Sequence, residues 1–119
     1  MTLSRRDRGK QIEKLVQTHL ERNKLRLYEA NFNCRFGEID LIMLDGNTLV
    51  FVEVRYRRKS SYGTPMETVT RAKQVKIRKA AGYYLVQRKL HRMPVRFDVV
   101  AVSGEPDEYE IIWLKDAFT

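Results

Sequence analysis

The sequence has a single cysteine, no long apolar run and fewer acidic residues than basic ones. Cys34 has no partner for an internal disulfide or a CxxC pair, so neither a disulfide scaffold nor a structural zinc site is expected. No segment approaches the roughly 20 apolar residues that span a bilayer. The first ten residues, MTLSRRDRGK, lack the apolar core of a signal peptide. We therefore expect a cytoplasmic protein with no membrane partner.

The charge balance indicates a polyanionic partner. The chain has 23 Lys and Arg residues against 15 Asp and Glu residues, a formal net charge of +8. Nucleic acid is the first candidate for such a partner, and an anionic membrane surface is the alternative. The sequence has neither zinc-finger spacing nor the aromatic signature of an RNA-binding domain. Binding should therefore depend on phosphate contacts and weaken with salt.

Length and periodicity predict one α/β domain over residues 1–119. Apolar spacing predicts an amphipathic helix over residues 4–23 and a long helix over residues 65–89, with Thr64 as its N-cap. Five strands are predicted, at residues 25–33, 37–44, 48–56, 95–102 and 109–114. The order α-β-β-β-α-β-β predicts a three-layer sandwich in which helices flank a mixed five-stranded sheet.

Apart from Asp45 at the turn, three acidic residues interrupt the apolar segment GEIDLIMLDGNTLVFVEVRYRR at residues 37–58. Glu38, Asp40 and Glu53 stand where two strands of a hairpin should bury aliphatic side chains. A carboxylate in a sheet core is costly unless a positive charge compensates it. The segment therefore predicts a functional or structural cation near these acids.

The length of the hairpin loop determines whether the acids meet. A two-residue loop at residues 46 and 47 pairs Asp40 with Glu53, and directly opposed residues share one face of a sheet. A loop at residues 45 and 46 keeps both acids on that face as diagonal neighbours. A three-residue loop would separate them, and the sequence leaves this alternative open.

Two other arrangements of charge predict structural ion pairs. The two-residue loop places Glu38 opposite Arg55, and an ordinary cross-strand ion pair is the favoured interpretation of Glu38. Arg96 and Asp98 alternate with apolar residues in a later strand. They predict a structural pair at a strand end.

Two adjacent carboxylates in a partly dehydrated site must share a proton or a cation. Asp40 and Glu53 offer the hard oxygen ligands that Mg²⁺ and Mn²⁺ prefer. In a basic protein, such a site predicts phosphodiester hydrolysis, with the metal activating substrate and water. The alternative is a carboxylate pair neutralised by Arg55 alone.

Basic residues cluster in three parts of the chain. The candidate nucleic-acid-binding residues are Arg8, Lys10, Arg57, Arg58, Lys59 and Lys73. Lys73 differs from the others because it falls within the apolar stripe of the second helix, between Val69 and Ile77. A lysine at such a position either extends its ammonium to solvent or meets an anion, and both outcomes stay open.

Several motifs resemble the YraN family across nearly the whole chain. They are GEIDLI, FVEVRYR, RG with a glutamate in the first helix, a lysine-bearing second helix, and RFDVV. The resemblance implies a restriction-endonuclease-like fold similar to archaeal Holliday junction resolvases. It further implies a metal-dependent endodeoxyribonuclease that acts on DNA, with branched recombination or repair DNA as one form. Analogy with resolvases suggests a homodimer.

The resemblance also assigns catalytic residues. The fold's signature, an Asp on one strand and Glu-x-Lys on the next, falls on Asp40 and on Glu53 and Arg55, and Glu13 matches the helix glutamate. Arginine stands where lysine is expected, and it cannot lose its proton to act as a general base. Arg55 can still orient a phosphate. A non-catalytic nucleic-acid-binding module that keeps the fold is therefore the alternative function.

Overall fold

The computed structural model describes residues 4–58 and 64–119, in which one mixed sheet lies between two helices. The elements are α1 (Arg5–Arg22), β1 (Arg26–Cys34), β2 (Gly37–Asp45), β3 (Thr48–Arg57), a short 3₁₀ helix (Met66–Thr68), α2 (Arg71–Gln87), β4 (Val95–Ser103) and β5 (Glu110–Phe118). The predicted α/β sandwich and its element order are confirmed. Over the described part of the chain, no helix combines the length and apolarity needed to cross a membrane.

The strands lie in the order in which the chain makes them, from β1 at one edge to β5 at the other. β3 and β4 are parallel, and the other three pairs are antiparallel. Parallel neighbours cannot be joined by a tight turn, so the chain between β3 and β4 crosses one face of the sheet as α2. The mixed sheet predicted from the sequence is therefore confirmed.

α1 covers the opposite face of the sheet. Ile12, Val16 and Leu20, spaced by four residues, are buried and form its apolar stripe. Ser4 is the N-cap, and its side chain satisfies a free backbone N–H of the first turn. The helix ends before Asn23, so its predicted bounds are confirmed.

The predicted start of the second helix is wrong. Thr64 precedes only a 3₁₀ turn at Met66–Thr68, after which Val69 is extended, with φ −108° and ψ 92°. Thr70 is the N-cap of α2, and its Oγ1 accepts a hydrogen bond from the Lys73 N–H at 3.2 Å. Val69 is buried, so the chain leaves the helical conformation where this side chain enters the core.

β3 shows why the central strands are apolar at almost every position. Leu49 and Phe51 pack in the core on the α2 side, whereas Val50 and Val52 pack in the core on the α1 side. Both faces of the strand are covered, as its nearly continuous apolar sequence predicts. Glu53 comes next in this alternation and is only 4% exposed.

Asp98 is fully buried, and its interactions identify it as structural. Its carboxylate accepts hydrogen bonds from Arg96 Nε at 3.0 Å, from Trp113 Nε1 at 2.9 Å and from the Asp116 N–H at 2.9 Å. Arg96 also donates to Asp45 at 2.7 Å. The predicted pair of Arg96 and Asp98 is confirmed, and this acid has no free oxygen to offer a ligand.

The observed start of α2 can be tested with two threonine variants. Thr70→Ala should lower the free energy of unfolding by about 1 kcal/mol, because it removes the N-cap of a long helix. Thr64→Ala is the matched control and should cost less, because Thr64 caps only the short 3₁₀ turn. Urea unfolding measures both. A larger loss for Thr64→Ala would place the helix start where the sequence predicted it.

Candidate active site

The ladder between β2 and β3 opens at the predicted acids. The register is the one expected from a two-residue loop, and the last pair is Leu41 opposite Val52. Asp40 and Glu53 are the next residue on each strand. There the Val54 N–H donates a hydrogen bond to Asp40 Oδ2 at 2.8 Å. Where the strands separate, a hydrogen bond to the Asp40 side chain thus replaces backbone-to-backbone pairing.

The alternation of β2 is broken at Asp40. Ile42 packs on the α2 side and Leu41 on the α1 side, so regular alternation would place Ile39 with Leu41. Ile39 instead packs on the α2 side. Asn31 lies on β1 between the partners of Leu41 and Ile39 and has a left-handed φ of 53°. Local irregularities of this kind redirect a side chain, here the carboxylate of Asp40.

The two predicted acids are in contact. A hydrogen bond between two carboxyl groups requires a proton on one of them, and such a bond with Glu53 is among the causes that raise the pKa of Asp40. Burial is the largest cause that raises the pKa of Asp40, to about 8, and repulsion from Glu53 adds to it. The hydrogen bond from Val54 acts in the opposite direction. Near neutral pH and without a metal ion, the pair therefore holds a proton.

Glu13 approaches the pair from α1, as the resemblance implies. Partial burial raises its pKa, repulsion from Glu38 and more weakly from Glu53 adds to this, and a hydrogen bond from the Asn31 side chain lowers it. Glu13 also raises the pKa of Asp40. Carboxylates from α1, β2 and β3 thus repel one another in one region.

Two cations approach Glu53. Lys73 Nζ lies 3.3 Å from Glu53 Oε2, and Arg55 Nη1 lies 3.9 Å from the same oxygen. Of the two outcomes left open for Lys73, it meets an anion. The favoured pair of Glu38 and Arg55 is wrong, because the ladder ends at Leu41 before these residues come opposite one another. Neutralisation by Arg55 alone is also wrong, because Lys73 is nearer.

A cleft beside Glu13 has a volume of about 390 Å³ and lies between the start of α1 and the strands β1 and β2. It is lined by Arg5, Arg6, Gly9, Lys10, Glu13, Asn31, Asn33 and Glu38. The predicted phosphate-binding residue Lys10 therefore shares a cleft with a predicted catalytic acid. Its basic wall is of a kind that binds phosphate oxygens.

The remaining predicted nucleic-acid contacts lie elsewhere. Arg58 donates from Nε to Glu105, and this bond, with a smaller contribution from Arg8, lowers the pKa of the Glu105 carboxyl. Arg57 is exposed. Lys59 lies outside the described residues. Of the predicted nucleic-acid-binding residues that the structure describes, Lys10 and Lys73 lie near the carboxylates. Arg8 and Arg58 act on Glu105 instead.

Asn31 and Asn33 line the site but escape prediction from the sequence. A hydrogen bond from the Asn31 side chain lowers the pKa of Glu13, and Asn33 donates from Nδ2 to the backbone oxygen of Asn31 at 3.2 Å. Asparagine is unfavourable in strands, yet it tolerates left-handed backbone better than most residues. The occurrence of two asparagines in one predicted strand is the sequence feature that could have identified these site residues.

The donor atoms of the site fit a hard divalent ion. Among residues 4–58 and 64–119, no three His, Cys, Asp or Glu side chains are arranged to enclose a metal. Asp40 and Glu53 offer carboxylate oxygens whose mutual repulsion a cation would relieve. Mg²⁺ is commonly held by one or two carboxylates and keeps several waters. The pair suits Mg²⁺ or Mn²⁺ and does not resemble a zinc site.

The fold and the site define an α/β sandwich protein with a carboxylate pair, two cations beside Glu53 and a cleft with a basic wall. The chain belongs to UPF0102, described as an uncharacterised protein family, whose model matches residues 12–102. This confirms the resemblance drawn from the motifs. A UPF0102 protein of Nitrosococcus oceani is 46% identical, covering 95% of this chain and 92% of the relative. One of Ectopseudomonas mendocina is 48% identical over 97% of both chains, and one of Vibrio cholerae is 45% identical over 96% and 93%.

The raised pKa of Asp40 predicts how stability depends on pH. The folded protein keeps a proton that the unfolded chain releases, so this stabilisation is complete below about pH 4 and is lost as pH rises through about 8. Asp40→Asn should remove a slope of up to about 1.4 kcal/mol per pH unit. Urea unfolding from pH 5 to pH 8 measures the slope, with exposed Asp107→Asn as control. An equal slope in Asp40→Asn and in wild type would show that the carboxyl is not protonated in the fold.

Proposed function

We propose that this protein is a DNA-binding, divalent-metal-dependent nuclease that hydrolyses phosphodiester bonds. The observation that carries the proposal is the contact between Asp40 and Glu53 where β2 and β3 separate, with two cations on Glu53. A buried acid pair with a raised pKa and specific charge partners is typical of functional sites. The restriction-endonuclease-like pattern of the sequence places its Asp and Glu at these same positions.

The carboxylates have separate supporting roles in this proposal. Asp40 and Glu53 would hold Mg²⁺ or Mn²⁺, and the negative charge of Glu13 would favour a bound cation over the proton that the pair shares. When bound, such an ion would supply Lewis-acid activation of the phosphodiester and of the attacking water. The hydrogen bond from Val54 fixes the orientation of Asp40 before any ligand arrives.

Arg55 contributes charge and not proton transfer. Its side chain is 33% exposed, and its guanidinium lies 3.9 Å from Glu53. A guanidinium stays protonated, matches the geometry of phosphate oxygens, and can stabilise the negative charge that develops during hydrolysis. Arg55 thus supplies the positive charge of the lysine that the motif calls for. Activation of the water would depend on the metal.

DNA is the proposed substrate because the protein is strongly basic and the acids adjoin a cleft with a basic wall. Lys10 lies in that cleft, and Arg57 is exposed two residues beyond Arg55 on β3. Such contacts read phosphates and carry no sequence information. The likeness of the motifs to resolvases makes branched recombination or repair DNA the form to test first, and a homodimer the assembly to test.

Metal-dependent cleavage tests the proposal directly. Wild type with Mg²⁺ or Mn²⁺ should cleave at least one of labelled linear, flapped and four-way DNA. Asp40→Asn and Glu53→Gln should each lose a factor on the order of 10² or more, the scale of removing one preorganised charged group. Exposed Glu105→Gln is the control and should stay active. DNA binding without cleavage on every form would contradict the nuclease and assign the alternative, a non-catalytic binding module.

The salt dependence of DNA binding tests the basic surface. Arg57→Ala should flatten the slope of log affinity against log salt by up to about one unit, because one phosphate contact is lost. Arg78→Ala is the matched control, since Arg78 donates to the backbone oxygen of Thr119, and its slope should not change. Fluorescence anisotropy at several salt concentrations gives both slopes. Equal slopes for Arg57→Ala and wild type would mean that Arg57 makes no phosphate contact.

A further inference from the structure

Lys73 stands at a position that helix stability does not explain. It is the third residue of α2, in a first turn that contains no acidic residue. The N-terminal end of a helix carries partial positive charge, so a cation there is unfavourable. Lys73 also lies one helical turn before Ile77, which is buried, so its charge adjoins the apolar face of α2. Another interaction must offset these costs.

The offsetting interaction is the ion pair with Glu53. The ammonium lies 3.3 Å from Glu53 Oε2, nearer than Arg55 at 3.9 Å. The Glu53 side chain is 4% exposed, whereas the Lys73 side chain is 44% exposed. Lys73 thus brings its charge from a half-exposed position on α2 to a carboxylate that is almost completely buried in β3.

The two cations on Glu53 differ in how easily they can leave it. Arg55 belongs to the same strand as Glu53, two residues on, and pairs through β3 with Ala101 of β4. Lys73 comes from a different element and carries a compact ammonium on a flexible four-carbon stem. Rotation about that stem can move the charge by several ångströms without any movement of the backbone. Of the two, Lys73 is the exchangeable partner.

A divalent ion would compete with Lys73 for the same oxygen. An ion held by Asp40 and Glu53 needs Glu53 oxygens, and two positive charges a few ångströms apart repel strongly in a partly dehydrated site. The binding of one therefore weakens the binding of the other. Once released, the ammonium remains beside the acids, where a phosphate drawn to the metal would need a further cation.

We propose that Lys73 is the resident counter-ion of Glu53, which the divalent ion displaces and which then binds a phosphate oxygen of the DNA. This inference rests on the proposed function and adds a regulatory step to it. Metal and DNA binding become coupled, because the metal releases a cation that the phosphate can use.

The first test is the affinity for Mn²⁺ alone, measured by titration calorimetry without DNA at pH 8.5. Lys73→Ala should bind Mn²⁺ on the order of tenfold more tightly than wild type, because a competing charge has been removed. Lys73→Gln keeps most of the stem and should show the same change. Exposed Lys76→Ala, at the next turn of α2, is the matched control and should match wild type. Unchanged or weaker Mn²⁺ binding in both Lys73 variants would overturn the proposal.

The second test measures DNA affinity with and without Ca²⁺, a hard ion with the same preference for oxygen ligands. The ion should tighten DNA binding in wild type and in Lys76→Ala. In Lys73→Ala that gain should be smaller by roughly threefold, since the released ammonium is missing. An equal gain in all three proteins would contradict the transfer of Lys73 to phosphate.

Failure of this inference can be told apart from failure of the nuclease proposal. Wild type that neither binds Mn²⁺ nor cleaves DNA contradicts both. Wild type that binds Mn²⁺ and cleaves DNA, together with Lys73 variants of unaltered Mn²⁺ affinity, contradicts only the counter-ion role. If Lys73 were only structural, its replacement would lower the free energy of unfolding and leave the Mn²⁺ affinity of the folded protein unchanged.

Discussion

The candidate site depends on one hydrogen bond, from the Val54 N–H to the Asp40 carboxylate, where the pairing of β2 and β3 stops. β3 stays paired with β4 along Glu53 and Arg55, opposite Val99 and Ala101, so one side of the opening is rigid. The other side carries Asp40 at the point where β2 diverges. The backbone of β3 thus holds Asp40, and Glu53 lies on a strand that stays paired. Neither strand has to move for a ligand to reach the two carboxylates.

The distribution of charge follows from that opening. A basic protein has concentrated acids from three elements where water is largely excluded, which raises the pKa of both Asp40 and Glu13. The protein offsets this repulsion with a shared proton, with Arg55 and with Lys73, at different degrees of exposure. Buried charge of this kind weakens a fold unless every partner is present. A bound cation would relieve the repulsion among these carboxylates, so ligand binding explains the arrangement better than stability does.

The contact between Asp40 and Glu53 could be predicted from the sequence only for a given loop length, because a two-residue loop and the period of two bring the acids together whereas a three-residue loop would separate them. The start of α2 could not be predicted, because two threonines offer equivalent caps and only burial in the core selects Thr70. The partner of Arg55 depends on where the ladder between β2 and β3 ends. That end is set by packing between elements far apart in the chain, which local patterns do not encode.

Anomalous diffraction from crystals grown with Mn²⁺ tests most directly whether Asp40 and Glu53 together bind a divalent ion. We expect an anomalous peak roughly 2.1 Å from a carboxylate oxygen of each residue, with water completing the coordination of the ion. The ion should also have displaced Lys73, so that its Nζ lies farther from Glu53 Oε2 than 3.3 Å. A Mn²⁺-saturated crystal with no peak between these two carboxylates, and with Lys73 still paired to Glu53, would contradict this expectation.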